Sequence, residues 1–160
     1  MAKSDKANEK TNVMRQLDQA GIAYTPRYYD ASLASGTEVA TALGQSAECV
    51  FKTLVAEANT GEHFVFVIPA PETLSLKKAA KAAGVKSIAM LPQKKLLPLT
   101  GYVHGGCSPV GMKKPFPTWI DETALLTDAF FCSAGRLGAQ IGIDPEALAG
   151  YIGAQFADLT

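Results

Sequence analysis

The sequence has few residues of the kinds that bind metals, close disulfides or attract polyanions. Its three cysteines, Cys49, Cys107 and Cys132, are odd in number and widely spaced, so we expect neither a disulfide scaffold nor a zinc site. The 15 basic residues equal the 15 acidic residues in number. A protein that holds a long stretch of nucleic acid by itself usually carries a basic excess. Any nucleic-acid contact is therefore expected to be local or shared with a partner.

Long apolar segments are also missing. No apolar run approaches the roughly 20 residues that a membrane span needs, and residues 1–10 lack the apolar core of a secretion signal. We therefore expect a cytoplasmic protein without membrane contact. The chain has 160 residues, 48% of them hydrophobic and 8% aromatic, which fits one globular domain with a mainly aliphatic core. The domain is expected to span residues 1–160, with residues 1–10 as a frayed lead-in.

Hydrophobic spacing and capping residues predict a mixture of helices and strands. Helices are expected around Val13–Leu17, from Ser35 to Gly44, at residues 76–83 and 93–97, and from Asp144-Pro145 onward. Strands are expected at residues 22–29, 50–58, 63–69, 88–91, 118–120 and 129–132. Because the elements lack a steady strand–helix–strand rhythm, the pattern favours an α+β fold with an antiparallel or mixed sheet.

Lys52 interrupts the most apolar strand in the chain. In residues 49–56 both the odd-numbered and the even-numbered positions carry apolar side chains, which is typical of a strand buried on both of its faces. Two interpretations stay open with equal weight. Lys52 guards a solvent-facing sheet edge, or its ammonium group points into a pocket, where it stabilises an oxyanion or holds a phosphate.

A second candidate feature is the glycine-rich segment of residues 101–111. Glycines let backbone N–H groups approach a ligand closely, so the segment could build an anion cradle, although a wide turn has the same composition. It is not a phosphate-binding loop of the Gly-Lys-Ser/Thr type. Cys107 is a candidate nucleophile and His104 a candidate base. Because the Cys107 thiol has no recognisable catalytic partners in the sequence, a small semi-buried structural side chain is the favoured interpretation.

Other candidate contacts are basic. Arg136 lies in a third glycine-rich segment, residues 133–138, where it could meet a phosphate or a carboxylate. Two lysine clusters are most simply solvated faces, though together they could supply a few phosphate contacts. They are Lys77, Lys78 and Lys81, and Lys113 with Lys114.

Four stretches of this sequence together resemble the YbaK/EbsC family, the free-standing relatives of the editing domain of bacterial prolyl-tRNA synthetase. They occur in the family's order and span most of the chain. The stretches are residues 50–54 (Val-Phe-Lys-Thr-Leu), 76–81 (Leu-Lys-Lys-Ala-Ala-Lys), 100–114, which contain Gly-Gly-Cys-Ser-Pro-Val-Gly, and 133–136 (Ser-Ala-Gly-Arg).

The resemblance implies an α+β domain with a mixed, barrel-like sheet flanked by helices. It also implies a trans-acting hydrolase that clears misacylated tRNA(Pro), typically Cys-tRNA(Pro), without a metal or cofactor. The family's essential lysine falls on Lys52 and its pocket tyrosine on Tyr29. The implied partners are the acceptor end of tRNA(Pro) and prolyl-tRNA synthetase. The matched stretches give the remaining expected substrate-binding residues, which are Thr53, Gly105, Gly106, Ser108, Pro109, Gly111, Ser133, Gly135 and Arg136.

The sequence departs from the family pattern at two positions on the expected pocket rim. Ser35 stands where many members have an aromatic residue, and Gln140 stands near a position at which close relatives of the cysteine-specific enzyme can carry an aspartate. The amino acid removed therefore stays open. The alternatives are an alanyl-tRNA(Pro) or broader deacylase, a non-catalytic module that binds an aminoacyl or nucleotide end, and a thiol hydrolase that uses Cys107.

Overall fold

The computed structural model describes residues 9–33 and 35–160 of the chain. Its α-helices are α1 (Asn12–Ala20), α2 (Gly36–Leu43), α3 (Leu76–Ala83), α4 (Leu96–Thr100) and α5 (Pro145–Ile152). Its strands are β1 (Thr25–Tyr28), β2 (Phe51–Ala58), β3 (His63–Pro69), β4 (Ile88–Met90), β5 (Thr118–Asp121), β6 (Phe130–Ser133), β7 (Ala139–Ile143) and β8 (Gln155–Ala157). The expected lead-in falls mostly on residues 1–8, which lie outside the described part.

Local capping signals set the ends of the helices. At the start of α2, Ser35 Oγ accepts the backbone N–H of Glu38 at 3.2 Å, as the capping-box spacing predicts. Asp144 caps α5 in the same way, with Pro145 at the first helical position. A glycine in the left-handed conformation follows each of these five helices, and the one that ends α2 is the expected Gly44.

The strands form two open sheets. One has the order β1-β7-β6 and is antiparallel; the other has the order β4-β2-β3-β5-β8 and is mixed, because β5 runs parallel to both of its neighbours. In the second sheet β2 and β3 make the predicted hairpin, with Lys52 opposite Ile68. The α+β class and the mixed sheet are thus confirmed.

The barrel-like closure expected from the resemblance is not confirmed. Within the described residues neither sheet closes on itself, and the two are joined by a single parallel bridge between Val50 and Phe131. Beyond this bridge β2 and β6 make no further pairing in the described chain. The pairing of β2 with β6 therefore ends at Val50, two residues before Lys52.

Alternation along β2 separates two cores. Phe51 and Val55 point into the main core, in which α1 and α5 pack through residues such as Leu17 and Leu148. The opposite side of β2, here called the Lys52 face, carries Val50, Lys52, Leu54 and Ala56. A second core on that face is covered by α3, and a small third cluster joins Val50 to Phe131 and to Ala40 of α2. Lys52 therefore lies between the two smaller clusters.

No helix in the described residues is long and apolar enough to cross a bilayer. Nor does the described part of the chain bring three or more histidine, cysteine or acidic side chains together in a way that could hold a metal ion.

Candidate active site

Lys52 lies on an interior strand of the five-stranded sheet, at the end of β2 that adjoins β6. Its side chain is half-buried and, within the described chain, it makes no hydrogen bond and no ion pair. An ammonium group on an apolar strand without a protein anion is an uncompensated positive charge. The edge-strand interpretation describes the backbone here, because β2 is paired with β3 along its length but with β4 only from Ala56 to Ala58, so the edge of β2 beside Lys52 is unpaired within the described chain. The site is therefore suited to attract an anionic group.

Three neighbouring strands bring polar side chains to the Lys52 face. The Val50–Phe131 bridge aligns β2 with β6, so Ser133 lies two residues beyond the bridge on β6, as Lys52 does on β2. Ser133 pairs in turn with Gln140 of β7. Because residues at the same parity share a face, Lys52, Ser133 and Gln140 line the same side of the structure. Ser133 and Gln140 are a ladder pair, whereas Lys52 lies beside them on a strand that is bridged to β6 only at Val50.

Gln140 is the most unusual member of this row. Its side chain is 6% exposed, and its Oε1 atom is buried without a hydrogen-bond partner in the described chain. A buried amide oxygen left without a donor costs about 1–3 kcal/mol of stability. Such a cost is tolerated most readily where a ligand supplies the missing donor. Sequence reasoning marked Gln140 only as a departure from the family pattern; its orphaned oxygen becomes visible only in the fold.

Tyr29 follows β1 directly and extends its ladder, donating its backbone N–H to the carbonyl oxygen of Gly138 at 3.0 Å. Arg27 pairs with Gln140, so alternation places Tyr29 on the same face as Gln140, one step further along. The Tyr29 side chain is half-buried. The structure thus brings the expected pocket tyrosine to the side of the three-stranded sheet that carries Ser133 and Gln140.

The glycine-rich loop reaches this region at its tip. A Cβ atom on Gly106 would lie 3.2 Å from the backbone of Arg136 and Leu137, and one on Gly105 would lie 2.9 Å from a methyl group of Leu137. The loop therefore packs against the turn that follows Ser133. In that turn the backbone N–H of Gly135 donates to Ser133 Oγ at 3.1 Å, which fixes the hydroxyl.

Backbone donors are available in the buried part of the loop. Residues Gly106 to Val110 are buried, and Ser108 Oγ accepts the N–H of Val110 at 3.1 Å. In the described chain the N–H groups of Cys107 and Ser108 have no protein acceptor. Buried N–H groups without partners are the donors from which an oxyanion cradle is built. The N–H groups of Cys107 and Ser108 are therefore the candidate donors of the expected anion cradle.

The loop is held from behind by Tyr102. Its hydroxyl donates to the carbonyl oxygen of Val110, and burial raises its pKa to about 12. A Cβ atom on Gly111 would lie 2.9 Å from this hydroxyl, and one on Gly135 would lie 3.3 Å from the ring. Gly111 and Gly135 thus serve the packing of Tyr102 between the two glycine-rich segments.

Cys107 is poorly suited to act as a nucleophile. It is 5% exposed and belongs to the main core, and burial raises the pKa of its thiol to about 12. The thiolate is the nucleophilic form, so the thiol is almost entirely protonated and inert near neutral pH. His104 is exposed in the same loop, and none of its described contacts is a hydrogen bond to Cys107. The structure argues against the thiol-hydrolase alternative.

Two expected site residues point elsewhere. Thr53 lies on the opposite side of β2 from Lys52, and its buried Oγ1 has no partner in the described chain. The Arg136 guanidinium lies 5.9 Å from the centre of the Tyr28 ring and donates to the carbonyl oxygen of Glu9 at 3.4 Å. Its backbone, rather than its charge, is what contacts the glycine-rich loop.

The N-terminus of α2 borders the Lys52 face as well. A Cβ atom on Gly36 would lie only 2.3 Å from the Cβ atom of Ala70, so the helix start can approach the end of β3 only with glycine there. Ala70 in turn donates its N–H to the carbonyl oxygen of Val50 at 2.7 Å. Ser35, which caps α2, is thereby held beside the strand that carries Lys52.

This arrangement can bind an activated carbonyl and stabilise the negative charge that develops on it. It offers a cation, buried backbone donors and a buried amide acceptor, but no activated serine or cysteine nucleophile among the described residues. These features together are typical of a hydrolase whose nucleophile is water or part of the substrate.

Comparison with known proteins agrees with this class. Residues 30–151 match the family model of the aminoacyl-tRNA editing domain. The chain belongs to this family and is a hydrolase of the aminoacyl-tRNA editing class.

One curated relative is 43% identical over 164 aligned positions, which cover the whole chain and 98% of that protein. It is named "Putative Cys-tRNA(Pro)/Cys-tRNA(Cys) deacylase EbsC" and comes from Enterococcus faecalis (strain ATCC 700802 / V583).

Two solved structures share the fold. One is described as a "putative trans-editing enzyme for prolyl tRNA synthetase"; it is 26% identical, with a TM-score of 0.81, and the match covers 95% of this chain and 99% of that one. The other, hypothetical protein APE2540, is 25% identical, with a TM-score of 0.86 and coverage of 93% and 99%. The resemblance to the editing family is therefore confirmed in sequence and in fold.

Proposed function

We propose that this chain hydrolyses Cys-tRNA(Pro) in trans, with Lys52 as its principal catalytic residue. The observation that carries the proposal is the unpaired Lys52 ammonium group, half-buried on the face that also carries Ser133 and the unpartnered amide oxygen of Gln140. The name of the Enterococcus relative supports the substrate. The likeness to a solved structure described as a "putative trans-editing enzyme for prolyl tRNA synthetase" supports action alongside that synthetase.

The need for such an enzyme follows from side-chain size. Cysteine is no larger than proline, and a difference of about one methylene group gives a synthetase only about 1–3 kcal/mol of discrimination. A second site is therefore required to clear the wrong product. The aminoacyl ester is already activated, so a modest catalyst is sufficient.

The reaction needs no nucleophile from the protein. The thiol of the bound cysteinyl group attacks its own ester carbonyl, a C–S bond forms, and the C–O bond to the terminal ribose breaks. The ribose oxygen leaves with the proton that the thiol gave up, and water then hydrolyses the cyclic thioester to free cysteine. Negative charge gathers on the carbonyl oxygen in the first step, where the Lys52 ammonium group and the N–H groups of Cys107 and Ser108 stabilise it.

Gln140 supplies the contact that orients the substrate. Its unpartnered Oε1 faces the same side as Lys52 and accepts a hydrogen bond from the α-ammonium group of the aminoacyl moiety. That contact fixes one end of the amino acid while the loop holds the carbonyl, which favours the geometry for attack.

The test is single-turnover deacylation of cysteinyl-, alanyl-, seryl- and prolyl-tRNA(Pro), each with and without prolyl-tRNA synthetase. We expect cysteinyl-tRNA(Pro) to be cleared at least about tenfold faster than the others, and the synthetase to speed clearance by holding the tRNA body. Fastest hydrolysis of alanyl-tRNA(Pro) would instead establish the alanyl deacylase. Binding without turnover of any of the four would establish a non-catalytic module.

A further inference from the structure

A concave region lies away from Lys52, between the far end of the β2–β3 hairpin and α4. It has a volume of about 510 Å³ and is lined by Glu57 and His63 on one side and by Lys94, Lys95 and Pro98 on the other. We call it the Pro98 groove. Leu91 and Leu99 complete an apolar floor.

The rim of the groove is basic. Lys94 and Lys95 are exposed and make no ion pair within the described chain. Lys113 adds a third cation, since its Nζ donates to the carbonyl oxygen of Pro98 at 3.4 Å. Glu57 is the one carboxylate among the described lining residues, and its Oε2 lies 4.0 Å from His63 Nε2. Lys113 is far from Lys94 and Lys95 in the sequence, and the fold brings them together.

The groove is connected to the candidate active site by the glycine-rich loop. The loop leaves α4 at Gly101 and returns to it at Lys113, whose backbone N–H donates to the carbonyl oxygen of Thr100 at 3.1 Å. Its tip, at Gly106, packs against Arg136 beside Ser133. The glycine-rich loop therefore begins and ends beside the basic rim of the groove, and its tip lies beside Ser133.

We propose that the Pro98 groove binds the sugar–phosphate backbone of the tRNA acceptor arm, while the aminoacyl end reaches Lys52. The inference rests on the proposed function, because it assumes that the bound polyanion is tRNA. Unpaired lysines on a concave rim complement phosphates, and the apolar floor accepts a ribose or a base. Because only a few phosphate contacts are required, a chain whose net charge is zero can still bind tRNA through this local basic surface.

The lysines of α3 provide a matched comparison. Lys77 and Lys81 are exposed like Lys94 and Lys95, but they stand on the outer side of a helix, whereas the neighbouring Lys78 is paired with Asp158 at 2.9 Å. Removing two charges from α3 changes the net charge by the same amount as removing two from the groove. A nonspecific electrostatic effect would therefore be equal in the two double variants.

The experiment compares K94A/K95A with K77A/K81A. The affinity for tRNA(Pro) that carries no amino acid is measured over a series of salt concentrations, in the absence of the synthetase. We expect K94A/K95A to weaken binding about tenfold or more and to lower the slope of log affinity against log salt by about 1.8, for two lost phosphate contacts. K77A/K81A should match the wild type. Equal effects of the two pairs, or no effect of K94A/K95A, would overturn the proposal.

A second measurement separates the groove from the catalytic proposal. Deacylation is followed on whole Cys-tRNA(Pro) and on a cysteinylated CCA trinucleotide, which lacks the acceptor stem. We expect K94A/K95A to raise KM on the whole tRNA, with kcat and the rate on the trinucleotide unchanged. A loss on the trinucleotide as well would contradict the groove assignment. Failure of the wild type to hydrolyse either substrate would refute the proposed function, and the binding series would still decide the groove.

Discussion

At the scale of single residues, the buried amide oxygen of Gln140 is the feature that most needs a functional explanation. A buried amide oxygen without a donor lowers stability unless a ligand satisfies it, so its presence beside Ser133 and Lys52 has a functional explanation. The α-ammonium group of an aminoacyl ester is the donor that the proposed reaction brings to this row.

Substitution of Gln140 tests this contact. Gln140→Leu removes the acceptor at similar volume, and we expect kcat/KM on Cys-tRNA(Pro) to fall by roughly 10- to 100-fold, as for a lost hydrogen bond to a charged group. The wild type should disfavour N-acetylcysteinyl-tRNA(Pro), which lacks the ammonium group, and Gln140→Leu should lose that preference. Gln140→Glu keeps an acceptor and should keep the preference. A Gln140→Leu variant that still discriminates against the N-acetylated substrate would exclude the contact.

At the scale of elements, the sequence predicted what local signals determine and missed what depends on distant pairing. The bounds of α3 follow from Ser75 and Gly84 and agree with the prediction. The strand expected at residues 22–29 is shorter, because the N–H of Ile22 donates to the carbonyl oxygen of Leu17 and still belongs to the cap of α1. Strand β7 was missed although Gln140 and Gly142 alternate with three apolar residues, because glycine is depleted in strands and the segment is short.

The residues of the candidate site also fall into those that the sequence singled out and those whose placement became visible only in the fold. Lys52 and the glycine-rich segments were identified from composition and from the family resemblance, because an isolated lysine and clustered glycines are visible in the sequence. The orientation of Thr53 to the other side of β2, the engagement of Arg136 by Tyr28 and the orphaned oxygen of Gln140 depend on register and on contacts between distant segments. No pattern along the chain contains that information.

The loop that carries the backbone donors is itself testable as an element. Gly106→Ala would place a Cβ atom 3.2 Å from the backbone of Arg136 and Leu137, which cannot move aside as a side chain tip would. We expect the loop tip to shift and the deacylation rate to fall about 100-fold, the cost of a displacement on the order of 1 Å.

The matched control is Gly150→Ala. Gly150 lies in α5 with nothing within 4 Å of the added atom, so this variant should keep full activity and gain up to about 1 kcal/mol of helix stability. Thermal unfolding of both variants is measured beside the rates. Wild-type activity in a folded Gly106→Ala variant would show that the close packing of the tip against the turn does not matter for catalysis.

At the scale of the whole molecule, a chain without net charge places unpaired cations at two sites, which are Lys52 on β2 and the lysines on the rim of the Pro98 groove. The first lies two residues beyond the Val50–Phe131 bridge, where β2 and β6 are no longer paired, and the second lies at the base of the glycine-rich loop. The open sheets are what make this possible, since a closed barrel would have paired the strand edge beside Lys52.

The central claim is that Lys52 acts on the ester while no protein thiol does. The most direct test is single-turnover deacylation of Cys-tRNA(Pro), measured beside thermal unfolding for four variants: Lys52→Ala, Lys52→Arg, Lys52→Met and Cys107→Ala.

We expect Lys52→Ala to lose about 3 kcal/mol of transition-state stabilisation or more, by analogy with a lost oxyanion donor. Lys52→Arg should also be poor, because the charge is kept but its reach and shape change. Lys52→Met should fold at least as well as the wild type, because it removes an uncompensated charge, and Cys107→Ala should keep most of the activity. Near-wild-type rates in Lys52→Ala, or a loss of about a thousandfold in a folded Cys107→Ala variant, would contradict the account.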